Sequence, residues 1–166
     1  RTIEDSDEAV RLDPQDPAAF SRRGDSNRIL GQPDRAIEDY DLAISIDSRF
    51  ALTYVSRGGA YNERGQYCEA TEDLDEAIRL DDQVPSAYLA RGSAYGNLGQ
   101  HGRAVQEYGE AIGLNPQFAL AYLSRAIAND RLGNDLAAQE DADRAVELGL
   151  DRDFVEQMVG ELGRQR

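Results

Sequence analysis

Aromatic, small and glycine positions recur along this chain every 34 residues. Segments 17–50, 51–84, 85–118 and 119–152 align without a gap. The recurring positions are aromatic at Phe20, Tyr54, Tyr88 and Tyr122, glycine at Gly31, Gly65, Gly99 and Gly133, and alanine at Ala36, Ala70, Ala104 and Ala138 and again seven residues later. Such registration over four segments predicts four copies of one structural unit.

Each recurring position has a mechanical reason that favours a helical hairpin. The small residue four positions after the aromatic lets two helices approach closely, and a glycine in the turn can adopt the left-handed conformation that ends a helix. Two alanines spaced seven apart keep one face of the second helix thin for packing. The predicted helices are 19–30 and 35–46, 53–64 and 69–80, 87–98 and 103–114, 121–132 and 137–148, with 3–12 and 154–162 at the ends.

The third segment carries the fullest set of these residues: Tyr88, Gly92, Tyr95, Ala104, Tyr108, Ala111 and Pro116. In this order they resemble the signature of the tetratricopeptide repeat family, which is built from 34-residue helix–turn–helix units. The resemblance covers nearly the whole chain. It implies an all-α fold, a right-handed α-solenoid of stacked antiparallel helical hairpins, whose members bind many unrelated partners.

The repeat divides the chain into six predicted segments. Residues 1–16 are the second helix of a truncated leading repeat, residues 17–50, 51–84, 85–118 and 119–152 are repeats 1 to 4, and residues 153–166 are a C-terminal capping helix. Asp153 and Glu156 have the spacing of a capping box at the start of that helix. Because the chain begins at Arg1 without a methionine, the sequence leaves the cellular compartment open.

Two charged positions also recur, although they fall among small and aromatic residues. The arginines are Arg23, Arg57, Arg91 and Arg125, and the acidic residues are Asp39, Asp73, Glu107 and Asp141. One hypothesis is that the guanidiniums bind carboxylates or phosphates of a ligand, and the other is that each is neutralised by an acidic residue of its own or the neighbouring unit. At about 100° per residue, the arginine points away from the groove that first helices line in this family. This angle favours structural ion pairs.

The predicted groove carries apolar side chains near the starts of the first helices and amides or mixed charges near their ends. The candidate peptide-groove residues are Leu52, Val55, Asn62, Leu89, Ser93, Asn97, Leu123 and Ile127. Such a surface suits an extended or helical peptide, although the leucines could instead serve only packing between units. Family members that bind the acidic C-terminal tails of chaperones carry Lys, Arg and Asn in this groove. The corresponding residues are Ser21, Asp25, Ser56, Ser86 and Ala90, which disfavours chaperone tails.

Charge narrows the class of partner. The chain has 32 acidic and 18 basic residues, a net charge of −14, which disfavours nucleic acid and anionic membrane surfaces. No run approaches the roughly 18 apolar residues that span a bilayer, so we expect no direct membrane contact. Acidic residues on the back of the second helices, Asp41 among them, favour a solvated convex face over a docking surface for a basic partner.

Residues that carry chemistry are scarce. Cys68 and His101 are the single cysteine and the single histidine, and they lie about one repeat apart. We expect Cys68 to be a surface thiol and His101 to pack or cap at the start of a second helix. The glycines of 92–99 follow the repeat rather than a strand, which argues against a nucleotide loop. The sequence therefore predicts no catalytic residue, no metal site and no cofactor.

These observations together favour a noncatalytic protein–protein interaction scaffold that binds a peptide or protein partner in the concave groove. One alternative is an accessory region of a larger enzyme or complex. Another is a self-assembling scaffold that forms a homo-oligomer through an open N-terminal face.

Overall fold

The computed structural model describes residues 3–163, with side chains through residue 160. Over that range the chain folds into ten α-helices and no strand. Residues 1, 2 and 164–166, which belong to the predicted segments 1–16 and 153–166, lie outside the described residues. The chain divides into two compact units, Arg1–Asp82 and Gln83–Arg166.

The first unit contains one leading helix and two hairpins. Its helices are α1 (Ile3–Leu12), α2 (Pro17–Ile29), α3 (Pro33–Ile46), α4 (Ala51–Glu63) and α5 (Tyr67–Leu80). Helix α2 packs against α3, and α4 packs against α5. The hairpins stack through α3 on α4 and α2 on α4, and α1 covers α2.

The second unit contains two hairpins and a closing helix. Its helices are α6 (Pro85–Asn97), α7 (His101–Leu114), α8 (Ala119–Leu132), α9 (Asp135–Glu147) and α10 (Arg152–Gly163). Helix α6 packs against α7, and α8 packs against α9. The two hairpins meet through α7 on α8 and α6 on α8, and α10 packs on both α8 and α9.

The turns within the hairpins depend on glycine in the left-handed region. The φ angles of Gly31, Gly65, Gly99 and Gly133 lie between +70° and +79°, which confirms the prediction for these positions. In this region a side chain would be strained, so glycine ends the first helix without cost. Gly149, with φ of +104°, makes a further turn between α9 and α10 that the repeat does not predict.

The helices of the four hairpins begin two residues earlier than predicted. Pro17 and Pro85 occupy the first turns of α2 and α6, where a missing backbone N–H costs nothing. Asp16 caps α2 by accepting a hydrogen bond of 2.9 Å from the backbone N–H of Ala18. The residues that begin these helices precede the recurring apolar positions, so the apolar pattern alone does not predict them.

The two helices of each hairpin approach most closely at the recurring small residue. A Cβ atom placed on Gly92 would lie 2.6 Å from Cε1 of Tyr108, and one on Gly24 would lie 2.6 Å from Cε1 of Tyr40. Ala126 takes this place in the fourth hairpin, and there the facing residue is the small Ala142. A bulky residue on the second helix is thus matched by glycine on the first.

Helix α10 closes the second unit in the manner predicted for a capping helix, but its start differs. Val155 is 1% exposed and packs with Leu123 and Ala145. Asp151 accepts a hydrogen bond of 2.9 Å from the backbone N–H of Phe154. The predicted capping box at Asp153 is therefore wrong: the helix begins at Arg152, and the side chain of Asp151 accepts the hydrogen bond at its start.

We expect Gly58→Ala and Gly59→Ala, neighbours in α4, to change stability in opposite directions. A Cβ on Gly58 would lie 2.8 Å from Cγ of the buried Leu74, whereas a Cβ on Gly59 meets nothing within 4 Å. Overpacking costs about 1–3 kcal/mol, and replacing a helical glycine by alanine gains about 0.5–1 kcal/mol. Urea denaturation of both variants tests this, and a stabilised Gly58→Ala protein would contradict the close approach.

Candidate functional site

Each recurring arginine faces the acidic residue 16 positions later, on the second helix of its own hairpin. Arg57 donates from Nε and Nη2 to the two carboxylate oxygens of Asp73 at 2.7 and 2.6 Å. Arg125 makes the same two bonds to Asp141 at 2.8 and 2.7 Å. Arg91 bonds Glu107 at 2.8 and 3.0 Å, and Arg23 binds Asp39. The structure brings all four predicted partners together.

These pairs are largely shielded from water. The side chains of Arg57 and Asp73 are 17% and 8% exposed, and those of Arg91 and Glu107 are 17% and 15% exposed. Each guanidinium also lies over the aromatic ring three residues earlier, at 5.5–5.7 Å from the ring centroid. The recurring aromatic therefore supports the arginine as well as the core.

The pKa shifts of Arg57 and Asp73 show the opposing effects of burial and ion pairing. Burial raises the pKa of Asp73, and together with the nearby charge of Asp41 it outweighs the lowering by Arg57. Burial lowers the pKa of Arg57, but its hydrogen bonds to Asp73 and Asp41 more than offset this and raise the pKa above its usual value. Because both charges are desolvated, the pair contributes only modestly to the stability of the fold. Removing one partner is costly, because it leaves a buried charge without its counter-ion.

A second acidic residue, which the sequence analysis did not assign to the pairs, completes two of these clusters. Arg57 donates from Nη1 to Asp41 on α3, and Arg23 donates from Nη1 to Asp7 on α1 at 3.4 Å. Asp41, which the sequence assigns to a solvated convex face, is 53% exposed and also pairs with Arg57. The signal was available, because Asp7 and Asp41 each precede their arginine by the same 16 residues.

Two buried asparagines occupy the positions where the repeat usually carries an inner aromatic. Asn27 is 5% exposed and donates to Asp39 at 2.9 Å, so it joins the Arg23 cluster. Asn129 is 6% exposed and accepts from the side chain of Asn134 at 3.2 Å. Both amides satisfy part of their hydrogen-bonding capacity inside the protein.

The first unit contains a concavity between α2 and α4. Its volume is about 230 Å³, and its lining is Ala18, Ser21, Arg22, Asp25, Phe50, Leu52, Thr53 and Ser56. Phe50 and Leu52 are 50% and 65% exposed. The hydroxyl groups of Ser21 and Thr53 lie 2.9 Å apart. The concavity therefore combines two exposed apolar side chains with a hydroxyl pair.

The second unit contains a more polar concavity between α6, α7 and α8. Its volume is about 330 Å³, and its lining is Ser93, Gly96, Asn97, His101, Tyr108, Ser124, Ile127, Ala128 and Arg131. Asn97 donates from Nδ2 to the carbonyl oxygen of Ser93 at 3.0 Å. Burial raises the pKa of Tyr108, so its hydroxyl stays neutral. Arg131 and His101 are the basic residues in this lining.

The structure distributes the candidate groove residues unevenly. Leu52 lines the concavity of the first unit, and Ser93, Asn97 and Ile127 line that of the second. Val55 and Asn62 are half-buried on α4. Leu89 is half-buried and packs on the cluster that Ala104, Tyr108 and Ala128 form.

Leu123 corrects the predicted groove. It is 5% exposed and belongs to the core cluster with Val155 of α10, so it cannot present its side chain to a partner. The repeat pattern places Leu123 in the same position as Leu89, but α10 covers this face of α8.

Other candidate chemistry occupies ordinary positions. Cys68 is exposed on α5, and His101 is the first residue of α7, where it lines the polar concavity. Within residues 3–163, no group of three or more His, Cys, Asp or Glu side chains could hold a metal ion. Among the helices of that range, none has both the length and the apolar character needed to cross a bilayer.

Comparison with known families identifies the class. Models described as TPR repeat and tetratricopeptide repeat match residues 6–51, 58–99 and 85–118. The chain belongs to the tetratricopeptide repeat family. A search of curated protein sequences found no match.

Solved structures support the same class. MamA is 26% identical with a TM-score of 0.77, and the match covers 88% of this chain and 85% of MamA. The TPR domain of Arabidopsis OM64 is 25% identical with a TM-score of 0.66, over 68% of this chain and 93% of that domain. YrrB, described as a TPR protein with an unusual peptide-binding site, is 19% identical with a TM-score of 0.76, over 99% and 84% of the two chains. The predicted fold class, that of tetratricopeptide solenoids, is confirmed.

We expect Arg57→Ala to destabilise the protein, because it strands the buried carboxylate of Asp73 and removes the ion pair with Asp41. The loss should be about 2–3 kcal/mol, below the 3–5 kcal/mol of a fully buried pair because water still reaches this one. That corresponds to a melting temperature about 5–10 °C lower for a chain of this size. The control is Arg131→Ala, on an exposed side chain, which should change stability by less than about 0.5 kcal/mol. Equal melting temperatures for Arg57→Ala and the parent would exclude a structural role for the pair.

Proposed function

We propose that this protein is a noncatalytic interaction scaffold that binds a peptide or protein partner on the concave faces of its first helices. The observation that carries the proposal is the concavity of the first unit, where Phe50 and Leu52 expose apolar surface beside a recess. Apolar side chains exposed at a concavity favour a partner that supplies an apolar anchor.

The polar groups of this concavity suit the backbone of such a partner. Ser21 and Ser56 offer hydroxyl groups that can donate or accept a hydrogen bond. Asp25 already accepts a hydrogen bond of 2.8 Å from the hydroxyl of Tyr40, which orients its carboxylate. An extended or helical peptide presents the matching backbone groups and side chains.

The concavity of the second unit is a separate recognition surface of different chemistry. Asn97 and Ser124 offer hydrogen bonds, Ile127 offers an apolar contact, and Arg131 supplies a positive charge. This lining favours a polar segment of a partner. YrrB, which shares the fold, is described as having a peptide-binding site, and this supports the class of ligand but not its position.

The two alternatives predict different behaviour. An accessory region of a larger enzyme would keep the same concave surfaces and use them to position a substrate protein. A self-assembling scaffold would associate through its own surface, and light scattering would then rise with protein concentration in the absence of any peptide.

The proposal predicts that Leu52→Ser weakens peptide binding. Peptides selected from a random phage-displayed library on the parent protein serve as probes, and fluorescence anisotropy measures their affinity. Loss of an anchor contact costs at least about 1.4 kcal/mol, which is about tenfold in Kd. Melting temperature should change little, because Leu52 is already 65% exposed in the unbound protein.

The matched control is Leu42→Ser, which removes an exposed leucine from α3 of the same unit, outside the concavity. It should leave peptide affinity unchanged. If Leu42→Ser abolishes binding while Leu52→Ser preserves it, the partner binds the second helices and the proposed concave site is wrong.

A further inference from the structure

We infer that the notch at Gly109 is a binding site for a carboxylate side chain of a partner protein. The site lies between α7 and α8, and its donor is Nη1 of Arg125. It shares no residue with the lining of the polar concavity, so it is independent of the proposed peptide-binding surface.

The other hairpins show what this donor binds. Nη1 of Arg57 donates to Asp41, and Nη1 of Arg23 donates to Asp7, each on the helix that precedes the arginine. The residue 16 positions before Arg125 is Gly109, which has no side chain to take that role. Arg57 and Arg23 thus provide filled examples of the site.

The geometry at Gly109 leaves the position open. A Cβ atom placed on Gly109 would lie 3.8 Å from Nη1 of Arg125, and apart from its chain neighbours and its own helix backbone no other atom comes within 4 Å. Nε and Nη2 of Arg125 are held by Asp141, so the guanidinium cannot turn away. Among the residues that the structure describes, none accepts a hydrogen bond from Nη1.

The local surroundings favour a singly charged carboxylate. Arg125 is 27% exposed, more than the 17% of Arg57, so a ligand can reach it. The guanidinium lies 5.7 Å from the ring centroid of Tyr122, which helps to hold the donor in place. A doubly charged phosphate would be opposed more strongly by the net charge of −14. We therefore expect an aspartate or glutamate side chain as the ligand.

Acetate is the probe, and nitrogen-15 NMR of the whole chain is the measurement. Sodium acetate replaces sodium chloride at constant ionic strength, and the Gly109 amide and Arg125 Nε–Hε signals are followed. We expect both signals to shift along a saturating curve. Gly109→Asp should lower the fitted acetate affinity at least fivefold, because its own carboxylate fills the notch.

Gly113→Asp, one turn further along α7 in open space, is the matched control and should bind acetate like the parent. A second readout is stability, since Gly109→Asp should unfold at a higher temperature than the isosteric Gly109→Asn. Signals that stay unmoved, or that shift linearly and equally in all variants, would overturn the assignment. Phosphate that binds as tightly as acetate would also overturn it, because the site would then recognise charge alone.

Discussion

The close approach of the two helices in each hairpin is the constraint on which the rest of the structure depends. It occurs where glycine or alanine faces a second-helix residue, as Gly92 faces the ring of Tyr108. The arginine immediately precedes the small residue, and its acidic partner immediately precedes the facing residue. Bringing Gly92 against Tyr108 therefore also brings Arg91 within hydrogen-bonding distance of Glu107. One backbone contact positions both the core and the ion pair.

The ion pairs follow from that approach rather than driving it. Burial opposes charge on both Arg57 and Asp73, and bidentate hydrogen bonds compensate for the desolvation. A pair of this kind adds little net stability. However, any packing arrangement that separates the two partners is destabilised, because it leaves a buried charge uncompensated. The pairs are thus suited to setting which helix faces meet. Asp41 and Asp7 extend this role across neighbouring helices, because each reaches the arginine of the following helix.

Each unit contains both arginine ion pairs and a concavity between its helices. The arginine pairs lie outside the concavities described for α2 and α4 and for α6 to α8. The first concavity combines exposed apolar side chains with hydroxyl groups, and the second is more polar. Membership of the tetratricopeptide repeat family accounts for the scaffold, and the side chains at these surfaces account for any choice of partner. Repeated positions maintain the scaffold. Local chemistry comes from Gly109, where the other repeats carry aspartate, and from positions that vary among the repeats, such as Leu52.

The sequence by itself determined the hairpins, their turns and the facing charged positions, because these depend on contacts within one 34-residue unit. Helical periodicity places Arg57 and Asp73 on facing surfaces, and glycine at Gly65 has a local conformational reason. The burial and the contacts of side chains that face a neighbouring helix were decided only by the tertiary structure. Leu123 matches Leu89 in the repeat but is buried, because α10 covers it. The open donor on Arg125 arises because the preceding helix carries glycine at 109, and packing alone shows how close that helix lies.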